Sequence, residues 1–93
     1  MKITKEDIDF QYDIVEIKSA CAIGNYTIRI SFNDGITQLI DFKPFLEAAQ
    51  HPSIRKYLDI NLFNKFKIID GNLNWNDFDM IFPIEDLHSG IIK

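Results

Sequence analysis

A single cysteine, Cys21, leaves this chain without any intramolecular disulfide, whereas a small secreted fold held by bridges needs several cysteines. A reducing compartment is the expectation. No apolar run approaches the ~18 residues of a membrane span, and Met1 to Phe10 alternate charge with single apolar residues where a signal peptide would carry its apolar stretch. The cytoplasm is therefore the default location. Positive charge is short as well: 10 Lys and Arg against 14 Asp and Glu give a formal net charge of −4, the wrong sign for wrapping a polyanion. Glycine is scarce, and Gly24, Gly35, Gly71 and Gly90 stand singly at candidate turns, so no phosphate-cradling loop exists. His-Glu-x-x-His, Cys-x-x-Cys and calcium-loop spacings are missing too, so neither a cofactor nor a catalytic set is expected and an enzyme is not the leading reading.

What the sequence does hold is apolar mass. Hydrophobic residues make up 46% of the 93 positions, eight of them Phe, while charged residues make up 26%. That composition belongs to a folding chain rather than a disordered one. The length suits one domain, expected over 14–93 with residues 1–13 as an N-terminal arm or irregular segment.

Periodicity gives the order of elements. Residues 14–23 are β-prone, and Gly24-Asn25 supplies a turn. Tyr26, Ile28, Ile30 and Phe32 then alternate with Thr27, Arg29 and Ser31, the pattern of a half-buried strand. Asn33-Asp34-Gly35 predicts a hairpin turn with Gly35 at positive φ, returning the chain as a strand over 36–42. Asp41 is placed to cap a helix starting at Lys43-Pro44, with Phe45, Leu46 and Ala49 on one face. His51-Pro52 ends it, and Ser53 is placed to cap the next short turn, followed by another at 61–64. A second hairpin is expected from Phe66–Ile69 and Leu73–Trp75 around Asp70-Gly71-Asn72, and a terminal helical turn from Pro83 to His88 with Gly90 as its stop. The predicted fold class is α+β, a small antiparallel or mixed sheet of about five strands covered by short helices. Cys21, between Ala20 and Ala22, reads as a small buried residue, and Trp75 as the core residue joining the Phe32 strand to the Phe45 and Leu46 helix face.

Four segments together carry a family resemblance: Phe32-Asn33-Asp34-Gly35, Asp41-Phe42-Lys43-Pro44-Phe45-Leu46, Leu62-Phe63-Asn64-Lys65-Phe66, and Leu73-Asn74-Trp75 followed by Asp79 and Pro83. Over residues 14–88 the chain resembles the DUF2442 family of small, mostly bacterial proteins of unknown function. The resemblance implies a compact α+β domain, and it implies a protein partner too, since some members sit in two-gene systems resembling toxin–antitoxin pairs. The chain departs from the family pattern at Trp75-Asn76-Asp77-Phe78-Asp79, where relatives more often have Trp-Pro-Asn-Gly before the Asp. It also has His88 where many relatives show Tyr.

Three functions compete. The leading one is a non-enzymatic protein-interaction module or accessory subunit, self-associating as a homodimer or binding a small protein, because Phe10, Tyr12, Tyr57, Phe78, Met80 and Phe82 exceed what one thin layer is expected to bury. The second is a metal-dependent enzyme or binder using Asp77, Asp79, Glu85 and His88, whose oxygens and imidazole suit a divalent cation; Glu85 and His88, three apart, suit one side of a helical turn. The third is a regulatory partner with weak nucleic-acid contact through Lys43, Arg55, Lys56, Lys65 and Lys67, though no helix suited to base readout accompanies them.

Overall fold

Residues 14–76 and 78–92 are described by the structure, a computed structural model. The expected arm, 1–13, lies outside them. Strands β1 (Ile17–Gly24), β2 (Thr27–Phe32) and β3 (Thr37–Asp41) form an antiparallel meander in the order β1-β2-β3, and β4 (Lys67–Ile69) pairs with β5 (Asn72–Asn74) as a separate antiparallel hairpin. The five expected strands are thus present, divided between two sheets that meet where the Ile17 N–H donates to the Gly71 carbonyl at 2.8 Å.

The alternation in β2 does what its period requires, with Ile28, Ile30 and Phe32 fully or almost fully buried and Arg29 exposed. Gly35 adopts φ 90° in the β2–β3 turn, where the Asp34 carboxylate also accepts from the Ile36 N–H at 3.0 Å. The first turn differs from expectation. Gly24 pairs with Thr27, so the turn residues are Asn25 and Tyr26, both left-handed at φ 54° and 63°, the type I′ geometry that suits strand twist. Tyr26 accepts that backbone because its hydroxyl donates to the Leu58 carbonyl and its ring packs edge-on to Phe63, with centroids 5.5 Å apart.

Cys21 is exposed, contrary to its expected burial. A register irregularity between Ile17 and Ser19 turns Ala20 and Ala22 inward, opposite Ile30 and Ile28, and sends Cys21 outward beside Arg29. One inserted residue reverses the faces of everything after it.

Short helices α1 (Lys43–Ala48), α2 (Pro52–Arg55) and α3 (Ile60–Phe63), with a 3-10 turn at Lys56–Leu58, connect the sheets. Phe42, not Asp41, is the N-cap of α1 and makes no side-chain cap bond, while Asp41 one residue earlier accepts from the Lys43 N–H at 2.9 Å. The cap of α2 is His51 rather than Ser53: its Nδ1 accepts from the Ser53 N–H at 3.2 Å. Asp59 caps α3 through the Asn61 N–H. The final helix α4 (Ile84–Ser89) ends on left-handed Gly90 at φ 83°.

The core is aromatic and Trp75 is its centre. The indole is completely buried and lies within 5.7–6.5 Å, centroid to centroid, of Phe42, Tyr57, Phe63, Phe66 and Phe82. Its Nε1 donates to the Phe63 carbonyl at 2.8 Å, satisfying the only polar atom of the ring. Burial is as expected, but the ring that meets Trp75 beside the meander is Phe42, between β3 and α1, and not Phe32 of β2. Three of the residues thought to exceed the core's capacity, Tyr57, Met80 and Phe82, are at most 3% exposed. Leu73 of the second hairpin and Leu46, Phe63 and Leu87 of the helices belong to the same buried cluster. Phe78 does remain on the surface, 60% exposed, and Phe10 and Tyr12 fall outside the described residues.

Candidate functional site

The residues singled out as possible metal ligands are drawn to different partners. Asp79 follows a turn in which its N–H bonds the Trp75 carbonyl at 2.9 Å. Its Oδ2 meets Lys56 Nζ at 2.6 Å and accepts from the Tyr57 hydroxyl at 3.0 Å. Those contacts with Lys56 and Tyr57 lower the carboxyl's pKa, and Tyr57, desolvated and donating to a carboxylate, is pushed up to about 12. His88 lies in the last turn of α4, its Nε2 2.8 Å from Asp34 Oδ2 and its ring edge-on to Phe32 at 5.0 Å. The Asp34 carboxyl is lowered first by the Ile36 N–H and then by His88. Glu85 is exposed in the first turn of α4, where a negative charge suits the helix dipole. Asp77 lies outside the described residues. Among the described residues no three His, Cys, Asp or Glu side chains gather to hold a metal ion.

The basic residues divide as well. Lys43 sits over the Tyr26 ring at 5.9 Å, and Arg55 Nη1 donates to the Glu47 and Ala49 carbonyls at 2.9 and 3.1 Å, closing the end of α1. Lys56, Lys65 and Lys67 converge. They line a groove of about 600 Å³ together with Tyr57, Leu62, Ile69, Asn74 and Asn76. Sequence reading found the lysines but missed the asparagines, because Asn72, Asn74 and Asn76 look alike until the hairpin is folded. The available signal was an amide expected to alternate outward in a strand between Leu73 and Trp75, where Asn74 is instead 2% exposed.

A second surface lies on the meander. The Phe32 N–H bonds the Ile36 carbonyl and the Phe42 N–H bonds the Tyr26 carbonyl, each at 2.8 Å, so the even-numbered residues of β3 exchange hydrogen bonds with β2. The backbone groups of Thr37, Leu39 and Asp41 therefore point away from β2 along the sheet edge. Leu39 is 61% exposed, and a groove of about 460 Å³ beside it is walled by Pro44, Phe45 and Ala48 of α1 and by Gly90–Ile92. Ile91, across that groove, is 63% exposed.

The two outer strands are not equivalent. The β1 edge carries Lys18 and two register irregularities, devices that discourage pairing with another strand. The β3 edge has five consecutive regular pairs to β2 and no Lys, Pro or bulge.

A family model described as "Protein of unknown function (DUF2442)" matches residues 17–93. No curated protein and no solved structure matches the chain.

Proposed function

We propose, from the premise that this chain belongs to the DUF2442 family of proteins of unknown function, that it is a non-enzymatic protein-interaction module that self-associates through β3. The observation that carries the reading is the β3 edge, which has no strand partner besides β2 among the described residues and lies beside an exposed apolar groove. A strand left this way is a template for another strand.

A second copy fits that template. Antiparallel pairing centred on Leu39 sets Leu39 against Leu39 of the second copy and Thr37 against Asp41 of the second copy. Every outward N–H and C=O of those residues then finds a partner, and no like charges stand opposite each other. Two-fold pairing of one strand with itself is the isologous arrangement that closes after two subunits. The two meanders become one continuous antiparallel sheet, and Leu39 moves from water to an apolar contact.

Light scattering coupled to size exclusion at micromolar concentration tests the reading, with a dimer expected for the native chain. Leu39→Lys places two ammonium groups face to face in the pairing, so this variant should run as a monomer while keeping the native circular dichroism. A native chain that stays monomeric, or a dimer indifferent to Leu39→Lys, would remove the proposal.

A further inference from the structure

We infer that the Lys56–Lys65–Lys67 groove is a binding site for a small phosphate monoester, held through its dianion by Lys65, Lys67 and the Asn74 carboxamide. Of the three lysines, Lys56 is already matched by Asp79 at 2.6 Å. Neither Lys65 nor Lys67 has a carboxylate at ion-pair distance, so among the described residues the groove holds two unmatched ammonium groups in a chain of net charge −4.

Surface lysines alone would make only a diffuse patch, and Asn74 is what makes this a built site. It is 2% exposed and the only buried polar residue among those described. Its Oδ1 accepts from the Phe78 N–H at 2.7 Å, which fixes the orientation of the carboxamide. Asn74 is one of the residues lining the groove, and its Nδ2 has no acceptor among the described residues. A buried donor without a partner is unfavourable, and an anionic oxygen in the groove satisfies it while meeting the two ammonium groups. Lys67 pairs directly with Asn74 across the hairpin, so the charged and neutral donors are held on one rigid element.

The rest of the groove selects an ester over a bare ion. Leu62, Ile69 and the Tyr57 ring supply an apolar wall, and about 600 Å³ is far more space than a phosphate ion fills. Small organic ligands occupy pockets of about 300–1,000 Å³ with a few placed polar groups on an apolar lining. The site shares no residue with the β3 edge, so it stands or falls independently of the self-association reading.

Two-dimensional NMR of the ¹⁵N-labelled full chain tests the site, with phenyl phosphate, inorganic phosphate, a short single-stranded oligonucleotide and sodium chloride of matched ionic strength as probes. Phenyl phosphate should shift the Asn74 side-chain amide and the Lys65 and Lys67 backbone amides saturably, and bind several-fold more tightly than inorganic phosphate. The double variant Lys65→Gln/Lys67→Gln, on exposed positions that leave the core intact, should weaken binding about tenfold or more while the native spectrum persists. Shifts reproduced by chloride, no saturation, or unchanged affinity in the double variant overturns the site. Tighter binding of the oligonucleotide than of phenyl phosphate overturns its assignment to a small ester.

Discussion

Phe78 occupies a backbone conformation that its side chain does not favour. Its φ is 71°, in the left-handed region, and its ring is 60% exposed, so little burial compensates the strain. The family pattern that this chain resembles more often has Gly here. Phe78→Gly should therefore stabilise the fold by about 0.5–1 kcal/mol, the usual size of a relieved left-handed strain net of the extra chain entropy of glycine. A higher midpoint in chemical denaturation is the expected reading, and a lower one would mean that the ring makes contacts worth more than the strain. Tyr57 offers a second test at the same scale. Its pKa is raised from 10.0 to about 12 in the fold, so the folded state holds the phenolic proton more tightly than the unfolded one. The stabilisation is complete below about pH 10 and is lost as pH rises toward 12. Absorbance titration should show a phenolate that forms only near pH 12, and Tyr57→Phe should abolish that step. Asp34 and Asp79 have the opposite sign: their lowered values stabilise the fold above the ordinary carboxylate range and cease to do so as pH falls through their folded pKa values.

At the level of elements, the turns and caps were the most readable part of the sequence. Asp34-Gly35 and Asp70-Gly71 announce hairpins because few residues tolerate positive φ, and Asp41, Pro83 and Gly90 bracket helices for equally local reasons. Readings that depended on distant partners fared differently. The tilt of the first turn onto Asn25-Tyr26 follows from Tyr26 reaching Leu58, and the outward face of Cys21 follows from a one-residue irregularity, neither of which leaves a mark in a short window. The candidate site behaved likewise: the lysines were visible as a charge cluster, but which of them share a groove is decided by the β4–β5 hairpin. Gly90 is an element-scale constraint that can be measured. A β-carbon there would sit 2.9 Å from Gln38 Oε1 on top of the left-handed strain, and moving the Gln38 amide would break its hydrogen bond to the His88 carbonyl at 2.7 Å. Gly90→Ala should destabilise by about 1–2 kcal/mol, seen as a lower denaturation midpoint with an unchanged slope.

Across the whole molecule, stability is concentrated in the shell around Trp75. Five aromatic rings and a buried hydrogen bond meet that indole, so Trp75→Ala should cost about 3–5 kcal/mol. Small domains have only about 5–15 kcal/mol in total, and the variant is expected to be largely unfolded by circular dichroism at room temperature. Emission of the native tryptophan should be blue-shifted and resistant to iodide. A water-like, readily quenched maximum would contradict the buried indole. The meander has a further consequence for how the chain is made. Among the described residues each of its strands pairs only with a sequence neighbour, so β1–β3 can assemble once Asp41 has left the ribosome. The residues that cover its inner face, Phe63, Trp75, Phe82 and Leu87, are synthesised later. A meander formed in that interval would leave Ile28, Ile30 and Ile40 open to water beside its β3 edge. Between Asp41 and Leu87, translation speed and chaperone access govern whether that half-made sheet waits for its own C-terminal half or meets another nascent chain first.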